Sequence, residues 1–353
     1  MKKFDISFDP EVPEILFRKK ISLVFSTYQA GTLMIIGSPE GRTIHQIPVS
    51  FKKPMGIALQ DNKLAVAGLE EVIFFSNAED IVGAMKDNDK GFDTVYVQRA
   101  AFNVGMIDVH DIQFGDGVLW GINTRFSCIS TFDVNYSFRP KWKPDFIDFL
   151  APEDRCHLNG LVMLDNLPKY VTALSQTNEK EGWRKDIMNT GILMEVPSSE
   201  IILEGLSMPH SPMFINEELY LLESGKGHLI KVDTVHKTKE LIFNFGRFVR
   251  GMTYFEGYLF VGVSKMRTSS NTFDKLEVTE NSNGAGIIVF DLANRKIIGE
   301  IHYKNTVEEI YDLQHFDGFI KPAIISQFQD QHNQVIVFPK HVFWKTKKED
   351  KAS

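Results

Sequence analysis

The sequence predicts an all-β chain closed into a single β-propeller of four-stranded blades, six in number rather than seven. Three observations predict it. A polar-then-apolar phrase recurs about every fifty residues, a tight turn rich in Asp, Asn and Gly follows most copies, and no linker interrupts the pattern between residues 50 and 320. The copies begin at Met55, His110, Asn159, His210, Arg250 and Tyr311. Their last residues, Leu59, Phe114, Met163, Phe214, Tyr254 and His315, are separated by steps of 55, 49, 51, 40 and 61 residues. Steps of that length fit one four-stranded blade with variable loops.

Each phrase reads as an inner strand, and the turn after it as a hairpin signal, as in Gly115-Asp116-Gly117, Phe255-Glu256-Gly257 and Phe316-Asp317-Gly318. A second strand follows in Leu119 to Ile122, Leu219 to Leu222 and Leu259 to Val263. Third strands are expected at Val72 to Phe75, Cys128 to Phe132, Ile192 to Val196, Leu229 to Val232 and Ile287 to Phe290. The outer strands are fainter: Thr94 to Gln98, Ile201 to Leu203, Glu240 to Phe243 and Ile297 to Ile301. Residues 21 to 50 supply three strands with no inner strand ahead of them, whereas an unpartnered phrase remains after residue 309. Pairing the two ends closes the ring and hides the sheet edges. A seventh blade requires Ile324 to Gln327 and Val335 to Phe338 to form a unit of their own. The organisation expected is an N-terminal extension over 1–20, the propeller over 21–340 and a charged tail over 341–353.

Composition narrows the function classes. With 43% hydrophobic residues, 28 Phe and 24% charged residues in a chain of 353, the sequence can bury stacked sheets. A net charge of -7, with basic clusters only near the two ends, argues against a nucleic-acid partner. No apolar run reaches membrane-spanning length, and the N-terminus turns acidic before a signal-peptide core can form, so a cytoplasmic location without a membrane partner is expected. Cys128 and Cys156 are too few for a disulfide framework and fit no zinc-ribbon spacing.

In an antiparallel blade the start of the inner strand and the end of the second lie at the same end, so the loops joining strands two and three overhang the phrase. Those loops are polar, as in Ser26-Thr27-Tyr28-Gln29, Asn123-Thr124-Arg125 and Ser264-Lys265-Met266-Arg267. Two positions before each phrase stand Lys53, Asp108, His157, Met208, Phe248 and Glu309. Period-two alternation predicts that these and the phrase residues form two stacked rings at the channel mouth. His110, His157, His210 and Glu309 are residue types that can hold a divalent transition metal from separate strands. They can equally form the hydrogen bonds that seal the top of a propeller channel. Arg250, Arg125, Lys265 and Arg267, with Asn159 and Tyr311, are candidates for holding a small-molecule or peptide ligand, because Arg takes carboxylate or phosphate by bidentate bonding. No nucleophile elbow or phosphate-binding loop accompanies them.

The motifs Ser26-Thr27-Tyr28-Gln29-Ala30-Gly31, His110-Asp111-Ile112, His157-Leu158-Asn159-Gly160-Leu161, Met208-Pro209-His210-Ser211-Pro212, Arg250-Gly251 and Glu309-Ile310-Tyr311-Asp312 occur in this order. In them the chain resembles a bacterial family of conserved hypothetical, propeller-like proteins of unknown function. More distantly the blade pattern is similar to six-bladed lactonases and strictosidine-synthase-like propellers, although the acidic calcium ligands expected of the lactonases are not matched. The resemblance implies a propeller with a shared pocket at the mouth and carries no established activity. Two functions stand open: a metal-dependent enzyme of lyase, hydrolase or oxygenase type acting on a small polar or peptide-like substrate, and a non-catalytic propeller that binds a ligand or peptide.

Overall fold

A computed structural model describes residues 3–78, 80–85, 91–266, 276 and 278–345. Six antiparallel four-stranded sheets stand in a ring, one for each phrase. Blade 1 comprises Ile57–Gln60, Lys63–Ala67, Glu71–Asn77 and Thr94–Asn103; blade 2 comprises Val109–Gly115, Val118–Asn123, Cys128–Thr131 and Arg139–Trp142. Blade 3 runs through Leu158–Leu164, Leu167–Ala173, Gly191–Glu195 and Ile201–Leu206. Blade 4 runs through Pro209–Ile215, Glu218–Glu223, His228–Asp233 and Thr238–Asn244, and blade 5 through Val249–Phe255, Tyr258–Val263, Ala285–Asp291 and Lys296–Tyr303.

Blade 6 closes the ring from both ends of the chain. Its inner strand, Asp312–Asp317, pairs with Ile21–Thr27 in the register Ser26 to Asp312 through Ile21 to Asp317, and Thr32–Gly37 and His45–Ser50 complete it. Among the described residues no seventh blade is formed. Pro322–Ile325 instead lies parallel to the outer strand of blade 1, with Pro322 opposite Thr94 and Ile325 opposite Val97, and Val335–Phe338 makes a separate hairpin with His341–Trp344. The sequence signal for extra strands was sound, but those strands are too short and too few to bury a sheet face of their own.

The N-terminal segment clasps the other side of the seam. Ile6–Phe8 adds antiparallel to the outer strand of blade 5, and the helix Glu11–Lys19 follows. Its Val12, Ile15 and Leu16 recur at helical spacing and are buried in the cluster that joins blade 6 (Leu23, Phe25) to blade 5 (Ile287, Ile301). Glu11 and Glu14 in the first turn and Arg18 and Lys19 in the last complement the helix dipole. No helix among the described residues is long and apolar enough to cross a membrane.

Around the channel, the second residue of each phrase alternates strictly by blade: Gly56, Asp111, Gly160, Ser211, Gly251, Asp312. Each polar member accepts a hydrogen bond from the main chain of the following blade. Asp312 Oδ2 accepts from Ile57 N at 2.7 Å, Asp111 Oδ2 from Leu161 N at 2.8 Å, and Ser211 Oγ from Gly251 N at 3.0 Å. The glycines make room for this. A Cβ on Gly56 would stand 2.9 Å from Asp111 Cα, and one on Gly251 would stand 3.0 Å from Leu313 N, at a φ of +72° besides. Three polar side chains and three glycines thus knit the six blades in pairs.

Candidate functional site

At the end of the channel where the phrases begin lies a cavity of about 490 Å3. Of the twelve residues expected in the two rings, all but Lys53 and Asn159 line it. Lys53 points instead to Tyr28, donating to its hydroxyl at 3.2 Å. Asn159 is buried, and its Oδ1 accepts from Thr172 within blade 3.

The rings are not stacked by simple alternation. Lys53, Asp108, His157 and Met208 have φ of 52°, 52°, 51° and 48°, so in four blades the residue two before the phrase is left-handed and the strand starts after it. That turn folds a carbonyl back onto the phrase residue. His110 Nδ1 donates to Asp108 O at 3.0 Å, and His210 Nδ1 meets Met208 O at 2.9 Å, with Ser224 Oγ also at 2.9 Å. His157 is held differently, its Nδ1 lying 3.0 Å from both oxygens of Asp154, which also accepts from Trp183 Nε1 at 3.0 Å. The rings of His110 and His157 meet edge to face with centroids 4.8 Å apart, and Trp183 backs His157 at 4.3 Å. Burial holds the His110 and His210 imidazoles well below the ordinary histidine pKa, with further depression of His110 by His157 and Arg250 and of His210 by Arg250.

Arg250 occupies the wall beyond His210. Its side chain is 13% exposed, its guanidinium carbon lies 3.4 Å from the centre of the Tyr311 ring, and its ion pair with Glu309 measures 4.0 Å. Burial raises the Tyr311 phenol pKa, so that ring stays neutral beneath the cation. The other lining cations are closely paired: Arg125 with Asp108 at 2.7 Å, Arg184 with Glu181 at 3.1 Å and Lys265 with Glu308 at 3.2 Å. Arg267 lies outside the described residues.

His110, His157, His210 and Glu309 share the cavity without forming a metal-ligand cluster. Among the described residues no group of three or more His, Cys, Asp and Glu side chains is placed to hold a metal ion. Each imidazole is oriented by the partner of its own Nδ1, and Glu309 is turned toward Arg250. The overhanging loops also divide their duties. Ser26 and Thr124 donate to the carbonyls of Met55 and Leu158 in the following blades, and Ser264 donates to Ile310, so these hydroxyls stitch blades together. Cys156, next to His157, is a buried structural thiol whose pKa burial pushes up to about 12, and burial likewise raises Cys128 to about 11.

Sequence reasoning missed Asp154 and the position of Trp183 against His157. The signal available was the Asp-x-x-His spacing of Asp154 and His157, which the left-handed turn at His157 makes a contact.

Residues 10–325 match the family described as domain of unknown function DUF4915, and the chain belongs to that family. No curated protein matches the chain. Among solved structures it is similar to one chain of a nidogen/laminin complex, at 10% identity and a TM-score of 0.54, over 84% of this chain and 98% of that one, a likeness of fold alone.

Proposed function

We propose that this propeller binds a small anionic molecule, or the anionic group of a peptide, at the channel mouth, with Arg250 as the anchor. The observation that carries the reading is the contrast among the cations. Arg125, Arg184 and Lys265 each have a carboxylate within 3.2 Å, whereas the carboxylate facing Arg250 stands at 4.0 Å, longer than a charge-assisted hydrogen bond. A guanidinium presents five donors in a plane, and one seated on an aromatic face keeps that plane fixed for a carboxylate or phosphate. His110 and His210, neutral at pH 7, leave Arg250 as the positive charge of that wall.

The test is thermal unfolding with inorganic phosphate and a panel of mono- and dicarboxylates. A ligand at one hundred times its Kd stabilises the fold by about 2.7 kcal/mol. Wild type is expected to gain melting temperature with at least one panel member and Arg250→Ala to gain none. Equal shifts in both proteins, or none in either, overturn the reading.

A second reading keeps the metal-dependent enzyme, with a divalent transition metal on His110, His157, His210 and Glu309 and lyase, hydrolase or oxygenase chemistry. What supports it is that each imidazole is fixed through Nδ1 by a carbonyl or carboxylate, as metal-bound imidazoles are. It requires at least one of these side chains to move. Metal analysis of the purified protein, with thermal shifts on adding Mn, Fe, Co, Ni, Cu and Zn, decides it.

A further inference from the structure

We infer that the anion is a polyhydroxylated carboxylate of the sugar-acid type, its carboxylate on Arg250 and its hydroxyls donated to Nε2 of His110 and His210, an inference that rests on the anion-binding reading. The argument begins with where the imidazole hydrogens are. A backbone carbonyl can only accept, so the contacts of His110 Nδ1 with Asp108 O and His210 Nδ1 with Met208 O place the hydrogen on Nδ1 in both rings. Burial keeps both rings neutral at pH 7, and a neutral imidazole carries one N–H, so in each the remaining nitrogen, Nε2, is an acceptor.

Two acceptor nitrogens therefore come from blades 2 and 4, with His110 and His210 in the cavity wall and Arg250 standing on blade 5. Esters, ketones and phosphate oxygens set lone pair against lone pair on this arc. Donors fit it. An ammonium is the poorer donor, because the lining carboxylates Asp108, Asp154, Glu181 and Glu308 already have cationic or ring N–H partners, and Glu309 stands beside Arg250, whose positive charge repels a second cation there. Peptide N–H groups alternate sides along an extended chain and do not present adjacent donors to one arc. Successive hydroxyls on a short carbon chain do, with the acid at one end, and the cavity lies in the size range of small-molecule sites.

Isothermal titration of the full chain with D-gluconate, D-glucuronate, hexanoate, L-glutamate and D-glucose tests this. Gluconate or glucuronate is expected to bind at least tenfold more tightly than hexanoate, glutamate or glucose. His110→Phe should remove about tenfold of the sugar-acid affinity and leave hexanoate unchanged, while His110→Gln, whose amide oxygen can accept, recovers part of it. Hexanoate binding as tightly as gluconate overturns the hydroxyl assignment and leaves anion binding standing. Glutamate binding most tightly replaces hydroxyl by ammonium and also overturns it. Glucose matching gluconate, with no loss in Arg250→Ala, removes the anion-binding reading as well. Binding of none of the five overturns the sugar-acid inference, and the phosphate and dicarboxylate panel then judges the anion reading separately.

Discussion

His110 and Asp111, His210 and Ser211, and Tyr311 and Asp312 are neighbours in sequence, yet the first of each pair lines the open cavity while the second is locked against the next blade. Residue type does not separate these duties, since both rings hold polar and ionisable groups. Completeness of partners does. Asp312 accepts from Ile57 N and Leu313 N at 2.7 Å each, and Asp111 accepts from Leu161 N, so the inner ring satisfies itself within the protein. The outer ring keeps an Arg 4.0 Å from its carboxylate and three imidazoles bound through one nitrogen. A polar group at the mouth of a propeller is thus better read by what it still has to offer than by its identity.

The sharpest way to break this comparison is Gly251→Val. The added Cβ meets Leu313 N at 3.0 Å and the residue must hold a φ of +72°, so a loss on the order of 4 kcal/mol is expected by chemical denaturation. A cost below about 1 kcal/mol would mean that the blades part without penalty and that the inner ring is no gasket.

A smaller effect is expected from pH. Burial raises the pKa of Asp111 and Asp312, the negative charge of Asp312 raises Asp111 further, and Asp312 moves from 3.8 to about 6. A raised carboxyl pKa means that the folded state binds the proton more tightly than the unfolded chain. This contribution to stability is fully present below pH 3.8 and is lost as pH rises through about 6. The loss should be on the order of 3 kcal/mol. Asp111→Asn removes the like charge and keeps an oxygen for Leu161 N, so its melting temperature should decline less over the same pH range. An unchanged slope in the variant would sink the proposed coupling.

The smallest expected effect is the loss of stability in Arg250→Ala, about 1 kcal/mol, because what it removes is a long ion pair and the contact with the Tyr311 side chain. A variant melting far below wild type would return Arg250 to the scaffold and erase the distinction between the rings.

Much of the fold was legible in the sequence because propeller blades repeat. The phrase located all six inner strands, and the missing partner ahead of Ile21 located the closure through Asp312–Asp317. The attachment of the outermost strands was not legible, since Ile6–Phe8 is three residues long and Pro322–Ile325 is held by a parallel pairing to a strand more than two hundred residues earlier. At the site, the ring positions of His110, His210, Arg250 and Tyr311 followed from register alone. Asn159 did not, because its amide bonds within its own blade, and neither did the left-handed residues at Asp108 and Met208, since a positive φ is rare outside glycine and only mildly favoured by Asp. The alternation of Gly with Asp or Ser was present in the phrases. Its meaning needs the blades side by side, because every bond in it joins two different repeats.

The seam between Ile21–Thr27 and Asp312–Asp317 has a consequence for the order in which the molecule can be made. Loop closure over nearly the whole chain must precede the pairing that rewards it, so the ring belongs with slow-folding, non-local topologies. While the chain is being synthesised, Ile21–Thr27, whose seven residues are all buried in the finished protein, has emerged long before its partner. Until residue 317 leaves the ribosome that strand is an open edge ready to pair with another chain, which makes the first blade to begin the last to be safe from aggregation.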